Sequence, residues 1–186
     1  MEMTGQRVLP VDRATVWKAL NDPQILKASI PGCETIEKTA NNEYAVTVGT
    51  TLGPVRAKFR GKLLLEDVVA PESYTLRFEG EGGAAGFAKG SSKVTLAEED
   101  GKTTLGYSVA AQIGGRIAQV GNRLVDSAAR KLADDFFTAF EKAVPGMTPS
   151  KEPQAPFVQD GVPVGRYIAM ALILVALVAS IGYTLR

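Results

Sequence analysis

The chain has 186 residues, with 21 Lys and Arg against 20 Asp and Glu and a formal net charge of +1 at pH 7. That length accommodates one domain of ordinary size and a tail, and the balanced charge disfavours a nucleic-acid-binding protein, which needs a net basic surface. The chain has no histidine and a single cysteine, which excludes an intrachain disulfide, a Ser-His-Asp triad and a metal site built on imidazole. We therefore expect a protein that is not an enzyme, with no catalytic residues and no metal ligands.

The amino-terminal part predicts a short strand and two short helices. The strand covers residues 2–9, and Asp12 is a suitable N-cap for a helix over residues 13–20. Asp22 before Pro23 predicts the start of a second helix, because aspartate caps helices and proline suits the first helical position. That helix should end near Pro31, since the residue before a proline avoids the helical conformation.

Five segments then alternate apolar and polar residues. This pattern predicts antiparallel strands with one face on a core and the other in water. The segments lie at residues 43–48, 55–66, 74–80, 88–96 and 105–113. Asp100-Gly101 predicts a tight hairpin turn between the last two strands.

From Gly114 or Gly115 to about Val144, the apolar spacing changes to that of one long amphipathic helix. Its predicted apolar stripe is Ile117, Val120, Leu124, Ala128, Leu132, Phe136 and Phe140. Together these elements predict an α+β fold, in which the helix lays its apolar stripe on the concave face of an antiparallel sheet.

The predicted inward face of the sheet contains many small residues. They are Ala57, Gly61, Gly80, Ala88, Gly90, Ser92 and Ala111. Because protein interiors pack densely, this composition predicts either close contact between helix and sheet or a cavity. An apolar cavity here would suit an aromatic or prenyl-like ligand. The predicted ligand-binding residues are Phe59, Leu63, Phe78, Phe87, Tyr107, Ile117, Val120, Gly121 and Leu124.

The glycine-rich segment at residues 80–90 has two compatible interpretations. It is a hairpin with bulges, or a mobile lip over the cavity with Phe87 at its tip. Four cations, Arg56, Lys58, Arg60 and Lys62, alternate along one strand and share its solvent face. They form either an ordinary solvated face or a docking surface for anionic lipid or an acidic partner protein.

The carboxyl-terminal part divides into a linker and a predicted membrane anchor. Residues 145–166 contain half of the chain's 10 prolines and read as a semi-extended linker after a domain at residues 1–144. Residues 167–185 carry no charged side chain, and as a helix they would reach about 28 Å, close to the thickness of a bilayer core. Charged residues near the amino terminus argue against a signal peptide, so we expect a single-pass anchor with the domain in the cytoplasm.

Three stretches together carry a family resemblance: VDRATVWKALNDPQILKASIPGCETIEK, FRGKLLLED and GGRIAQVGNRLVDSAARKLADDFF. Over residues 1 to about 143, the chain resembles the family of the carbon monoxide dehydrogenase G subunit, within the START-like (SRPBCC, polyketide cyclase) superfamily. The resemblance implies a helix-grip fold of the START/Bet v 1 type. It also implies a partner, since members accompany molybdenum hydroxylases of the carbon monoxide dehydrogenase type, and many have a C-terminal membrane segment.

These observations lead to a hypothesis with alternatives. The chain is expected to be an accessory at the cytoplasmic face of the inner membrane, where it recruits the hydroxylase and links it to the quinone pool. It would hold a respiratory quinone without any covalent cofactor, with Tyr107 donating to a quinone carbonyl. One alternative is a recruitment scaffold without a ligand. Another is a START-like enzyme or lipid carrier for a hydrophobic small molecule, which as an enzyme would need Tyr44, Tyr74 or Tyr107 as a base.

Overall fold

The computed structural model describes residues 1–52 and 55–147, and the side chains within residues 1–49 and 58–147. Its strands are β1 (Glu2–Leu9), β2 (Cys33–Ala40), β3 (Glu43–Leu52), β4 (Val55–Val69), β5 (Ser73–Glu81), β6 (Phe87–Glu99) and β7 (Lys102–Gly114). Within these residues they form one antiparallel sheet in the order β1-β7-β6-β5-β4-β3-β2. The helices are α1 (Arg13–Leu20), α2 (Pro23–Ser29) and α3 (Asn122–Ala143).

The caps predicted for the two short helices are confirmed. One Asp12 carboxylate oxygen accepts a hydrogen bond from the Thr15 backbone N–H at 2.9 Å, and the other accepts one from the Thr15 hydroxyl at 2.7 Å. Asp22 accepts from the backbone N–H of Gln24 at 2.8 Å, directly before Pro23. These contacts satisfy backbone donors that the first helical turn leaves without partners.

The predicted turn at Asp100-Gly101 is also confirmed. Both residues have positive φ, 51° and 70°, and Glu99 pairs with Lys102 across the hairpin. This is the two-residue turn that matches the right-handed twist of the flanking strands. From β2 to β7 each strand pairs with the next one in the chain, and β1 pairs with β7. The two edge strands of the sheet are therefore β1 and β2.

Strand β2 was not among the predicted segments. Of its residues only Ile36 is buried, because β2 is the edge strand beside β3 and exposes most of both faces. Without a second buried position, the alternation that reveals a half-buried strand is absent from its sequence.

The predicted long helix begins later than expected, and the phase of its stripe was wrong. A short 3₁₀ turn at Ala118–Val120 precedes Gly121, and α3 starts at Asn122. Its buried positions are Val125, Ala129, Ala133, Phe136, Phe137, Phe140 and Glu141. In the first turns of α3 the buried positions lie one residue beyond the predicted ones, because the predicted stripe advanced by four residues per step and a helical turn takes 3.6. Phe136 and Phe140 are buried as predicted.

The core lies between the inward face of the sheet and the helices. Tyr107 of β7 contacts Phe137 of α3 with ring centroids 5.8 Å apart. The carboxyl-terminal half of α3 buries three phenylalanines, whereas its first two turns bury only Val125 and Ala129. Since a fully buried phenylalanine contributes about 1.5–3 kcal/mol, α3 is anchored mainly at its carboxyl-terminal half.

Within the residues that the structure describes, no helix is long and apolar enough to cross a membrane. The anchor predicted at residues 167–185, and the linker beyond Met147, lie outside those residues.

Candidate functional site

Five of the predicted ligand-binding residues lie together on the inward side of the sheet. They are Phe59, Leu63, Phe78, Tyr107 and Ile117, and none is more than 6% exposed. Their side chains therefore contact protein over almost all of their surface. The inward side is apolar, as predicted, and in this structure it is closed at these positions.

Phe87 does not face the inward side, which corrects its assignment to the lip of a cavity. It is 41% exposed and alternates with the buried Ala88, so it lies on the outer face of β6. Its ring covers Gly114 on β7, and the ammonium group of Lys89 lies 6.0 Å from the ring centroid. Because Gly114 has no side chain, the ring of Phe87 can lie across β7 at this position.

Gly121 and Leu124 are likewise not part of an inward wall. Gly121 is exposed, and no atom lies within 4 Å of the position that a Cβ would take there. Leu124 is 45% exposed because the stripe of α3 is shifted by one residue. Val120 is half-buried and packs against the core, so it is the one member of this group at the interior.

Aromatic rings lie over one of the predicted small inward residues, Gly90, and over two further glycines, Gly82 and Gly5. A Cβ on Gly82 would overlap the ring of Phe59, and one on Gly90 would come within 2.8 Å of Cζ of Phe78. Similarly, a Cβ on Gly5 would overlap Tyr107. Glycine thus allows a large aromatic ring to lie over the neighbouring backbone. At these positions the structure supports close packing and not a cavity.

Ser92 carries a polar atom of this interior that has no partner. It is 1% exposed, and among the described residues its Oγ makes no hydrogen bond. It alternates with the exposed Lys93 on β6 and pairs across the sheet with Leu76 and Val109, so its hydroxyl faces an apolar surrounding. Leaving such a donor unsatisfied costs about 1–3 kcal/mol. In the sequence, Ser92 is a serine at an inward position between apolar neighbours. This pattern predicts a small side chain there but not that its hydroxyl lacks a hydrogen-bond partner.

Two of the three tyrosines that could act as catalytic bases, Tyr44 and Tyr74, are poorly suited to that role. Burial raises the pKa of Tyr74 and of Tyr44 above the ordinary value for a phenol. Tyr107 lies against Gly5 and Phe137. Phenols with raised pKa values remain protonated at neutral pH and cannot accept a proton from a substrate.

A gap of about 200 Å³ lies where the amino-terminal turn of α3 meets the edge of the sheet. It is lined by Met1, Glu2, Ile113, Ala118, Asn122, Val125 and Asp126. Next to it, the segment after β7 is joined to the glycine-rich segment by a hydrogen bond from Ile117 N–H to the Ala85 carbonyl at 3.2 Å. The gap thus lies beside the first two turns of α3, which bury only Val125 and Ala129.

A second and larger feature is a groove of about 1090 Å³ on the outer face of the sheet. Two rows of residues cross the strands there, and no residue of α1, α2 or α3 lines it. One row runs Glu43, Leu64, Arg77, Ser91, Ala110 and Glu2. The other runs Ala45, Lys62, Glu79, Lys89 and Gln112. Both rows mix charges of opposite sign.

The predicted basic stripe on β4 is interrupted by acidic neighbours. Lys58 pairs with Glu34 at 2.6 Å, and the register sets Glu81 opposite Arg60 and Glu79 opposite Lys62. The side chain of Arg56 lies outside the described residues. The described part of the stripe is therefore a surface of mixed charge, of which Lys62 belongs to the outer groove.

Three solved structures show what this fold is similar to. A conserved protein from Geobacillus kaustophilus is 30% identical with a TM-score of 0.73, and the match covers 77% of this chain and 95% of that one. The Zhui aromatase/cyclase from Streptomyces sp. R1128 is 10% identical with a TM-score of 0.55, covering 77% and 93% of the two chains. Ara h 8.0201 is 19% identical with a TM-score of 0.52, covering 77% and 97%. The last two likenesses concern the fold alone.

No curated protein matches the chain significantly. Residues 5–145, in contrast, match the protein family of the carbon monoxide dehydrogenase G subunit (CoxG). The matched range holds β2 to β7, all three helices and most of β1. With its START-like fold of a seven-stranded antiparallel sheet and a long carboxyl-terminal helix, the chain belongs to the carbon monoxide dehydrogenase CoxG family.

Proposed function

We propose that this domain binds a hydrophobic ligand between the inward face of its sheet and α3. The family and the START-like fold suggest such a role. The observation that carries the proposal is the composition of this interior, which is mostly apolar, with the hydroxyl groups of a few buried tyrosines and of Ser92 as its polar atoms. An apolar interior with few, well-placed polar atoms is the usual form of a site for a lipid-soluble molecule.

A ligand reaches this interior when the first turns of α3 move away from the sheet. The carboxyl-terminal half of α3 stays in place, because Phe136, Phe137 and Phe140 are buried. The amino-terminal half follows Gly121 and lies beside the 200 Å³ gap, and its first two turns bury only Val125 and Ala129. Parts of a protein with few buried apolar contacts open at the lowest cost in free energy.

The proposed ligand is a respiratory quinone, and the proposed partner is a molybdenum hydroxylase of the carbon monoxide dehydrogenase type. Family membership supports an association with carbon monoxide dehydrogenase. Because the hydroxylase is soluble and the quinone is dissolved in lipid, a protein that binds both is needed to bring them together. The apolar segment at residues 167–185 supports a tether to the inner membrane, which raises the local concentration of whatever the domain binds.

Mass spectrometry of the purified chain tests ligand binding. The full chain is extracted from its native membrane in a mild detergent, and the organic extract of the protein is compared with that of the detergent eluate alone. We expect a quinone at close to one molecule per chain in the protein sample only. Finding no lipid-soluble molecule above the level in the eluate would contradict ligand carriage.

A recruitment scaffold is the second candidate, and two observations favour it. The interior is closed at its central residues, and the outer face carries a large groove of mixed charge with small residues on its floor. In this case the hydroxylase docks on the outer face and no ligand is carried. Replacing Lys62→Glu should then weaken association with the hydroxylase and change its salt dependence. Lys102→Glu, at the β6–β7 turn, is the matched control for the same change of charge.

A further inference from the structure

On the inward face of the sheet, the hydroxyl of Ser92 finds no partner among the residues that the structure describes. Ser92 lies in the middle of β6 and is 1% exposed, and within residues 1–52 and 55–147 its Oγ makes no hydrogen bond. Its cross-strand neighbours on the inward side are Leu76 and Val109, and Val94 follows it on the same face. Each of these three side chains is apolar, so none can accept a hydrogen bond from the hydroxyl.

This arrangement is unfavourable for the empty protein. Buried hydroxyl groups are nearly always hydrogen-bonded, because losing contact with water without a replacement costs free energy. Alanine would occupy the same inward position without that cost. The unpaired hydroxyl therefore calls for a partner that the described residues do not supply.

We propose that Ser92 is the polar anchor of the ligand site, where its hydroxyl bonds to an oxygen atom of an otherwise apolar ring. This rests on the proposed function and adds the residue that recognises the ligand's ring oxygen. A serine hydroxyl donates one hydrogen bond and accepts two. It can therefore donate to a ring carbonyl and accept from a ring hydroxyl, so it holds both members of a carbonyl–hydroxyl redox pair.

The position of Ser92 fits an anchor better than that of the tyrosine assigned to this role from the sequence. The Tyr107 hydroxyl lies against Gly5 on β1, at the edge of the sheet. Ser92 lies on β6, with β7 on one side and β5 on the other, and its cross-strand neighbours Leu76 and Val109 are buried. A ring that enters beside the first turns of α3 can meet the Ser92 hydroxyl with apolar side chains around it.

The experiment compares two probes that differ only in their oxygens, menadione (2-methyl-1,4-naphthoquinone) and 2-methylnaphthalene. Dissociation constants are measured by calorimetry with the full chain in a fixed concentration of mild detergent. We expect Ser92→Ala to weaken menadione binding about fivefold, the usual worth of one neutral hydrogen bond, and to leave 2-methylnaphthalene unchanged. Ser91→Ala removes the neighbouring hydroxyl on the outer face and should change neither constant.

The outcomes distinguish a failure of the Ser92 anchor alone from a failure of the proposed function. If the wild-type chain binds neither probe, the proposed function fails together with the anchor. If it binds both and Ser92→Ala weakens them equally or not at all, the interior binds ligand and only the anchor is wrong. If Ser91→Ala is the variant that weakens menadione, the quinone sits in the outer groove. Without ligand, Ser92→Ala should melt at the same or a higher temperature than wild type, and a lower one would show that the hydroxyl has a partner.

Discussion

Arg7 Nε donates a hydrogen bond to Glu141 Oε1 over 2.7 Å, which joins β1 to the last turns of α3. Glu141 is 2% exposed and Arg7 15%, and the guanidinium carbon of Arg7 lies 5.8 Å from the ring centroid of Phe137. The pair lies at the carboxyl-terminal end of α3, opposite to the end at which we place ligand entry.

Removing one member of this pair should destabilise the domain strongly. Glu141→Ala leaves the Arg7 guanidinium largely buried without a carboxylate, and we expect the free energy of unfolding to fall by about 3 kcal/mol. Urea denaturation of the full chain in mild detergent measures this change. Asp135→Ala, which breaks the exposed pair with Lys131, is the control and should cost about 0.5 kcal/mol or less. Equal losses of unfolding free energy in the two variants would show that the Arg7–Glu141 pair stabilises the domain no more than an exposed ion pair does.

The contact between Gly5 and Tyr107 predicts that β1 tolerates no side chain at Gly5. In Gly5→Ala the new methyl group would overlap the Tyr107 ring, so we expect a loss of about 1–3 kcal/mol from overpacking. Gly49→Ala is the matched control on another strand, because its Cβ would meet only the end of the Glu34 side chain, at 3.1 Å. Combining Gly5→Ala with Tyr107→Leu should recover part of the loss, and full additivity of the two changes would contradict the contact.

Cys33 should react slowly with alkylating agents. Its thiol is half-buried, and this burial, with a smaller effect of Glu34, raises its pKa to about 11 despite the nearby Lys27. At pH 8 the thiolate fraction is then about 200-fold below that of an unperturbed thiol. The rate of iodoacetamide labelling should rise tenfold per pH unit up to about pH 10, whereas the urea-unfolded chain should level off near pH 9. A plateau below pH 9 in the folded chain would contradict this.

Narrowing the gap at the start of α3 should slow ligand exchange without removing the site. Ala118 is exposed and lines this gap, so in Ala118→Trp the indole should fill much of its 200 Å³. We expect menadione to bind and to leave about tenfold more slowly, with a nearly unchanged dissociation constant, because an entrance residue alters the barrier more than the bound state. Gln119→Trp, one position further along, is the control in stopped-flow measurements. Unchanged rates in Ala118→Trp would place the entrance elsewhere.

Much of the fold could be predicted because short-range rules decide it. Strand parity on β3 to β7 follows from alternation, since Tyr44 and Phe78 are buried as the pattern requires. The caps at Asp12 and Asp22 and the hairpin at Asp100 follow from backbone chemistry that a few residues specify.

The site was harder to predict because it depends on neighbours that are distant in the sequence. A glycine pattern cannot show that Phe59 covers Gly82, since this depends on the register between β4 and β5 and on a side-chain rotamer. The one-residue error in the stripe of α3 came from placing apolar positions every four residues, whereas a helical turn takes 3.6 residues, so the predicted stripe matches the buried one at Phe136 and Phe140 but not in the first turns. That error placed Leu124 in the interior, whereas the buried residue is Val125.

The most direct test is a crystal structure of the full chain with menadione. We predict electron density for the ring between the inward face of β5 to β7 and α3, with one of its oxygens about 2.7–3.0 Å from Ser92 Oγ and the first turns of α3 displaced. Density in the outer groove beside Lys62 and Lys89, with Phe59, Phe78 and Ile117 still closed over an empty interior, would contradict ligand binding between sheet and helix.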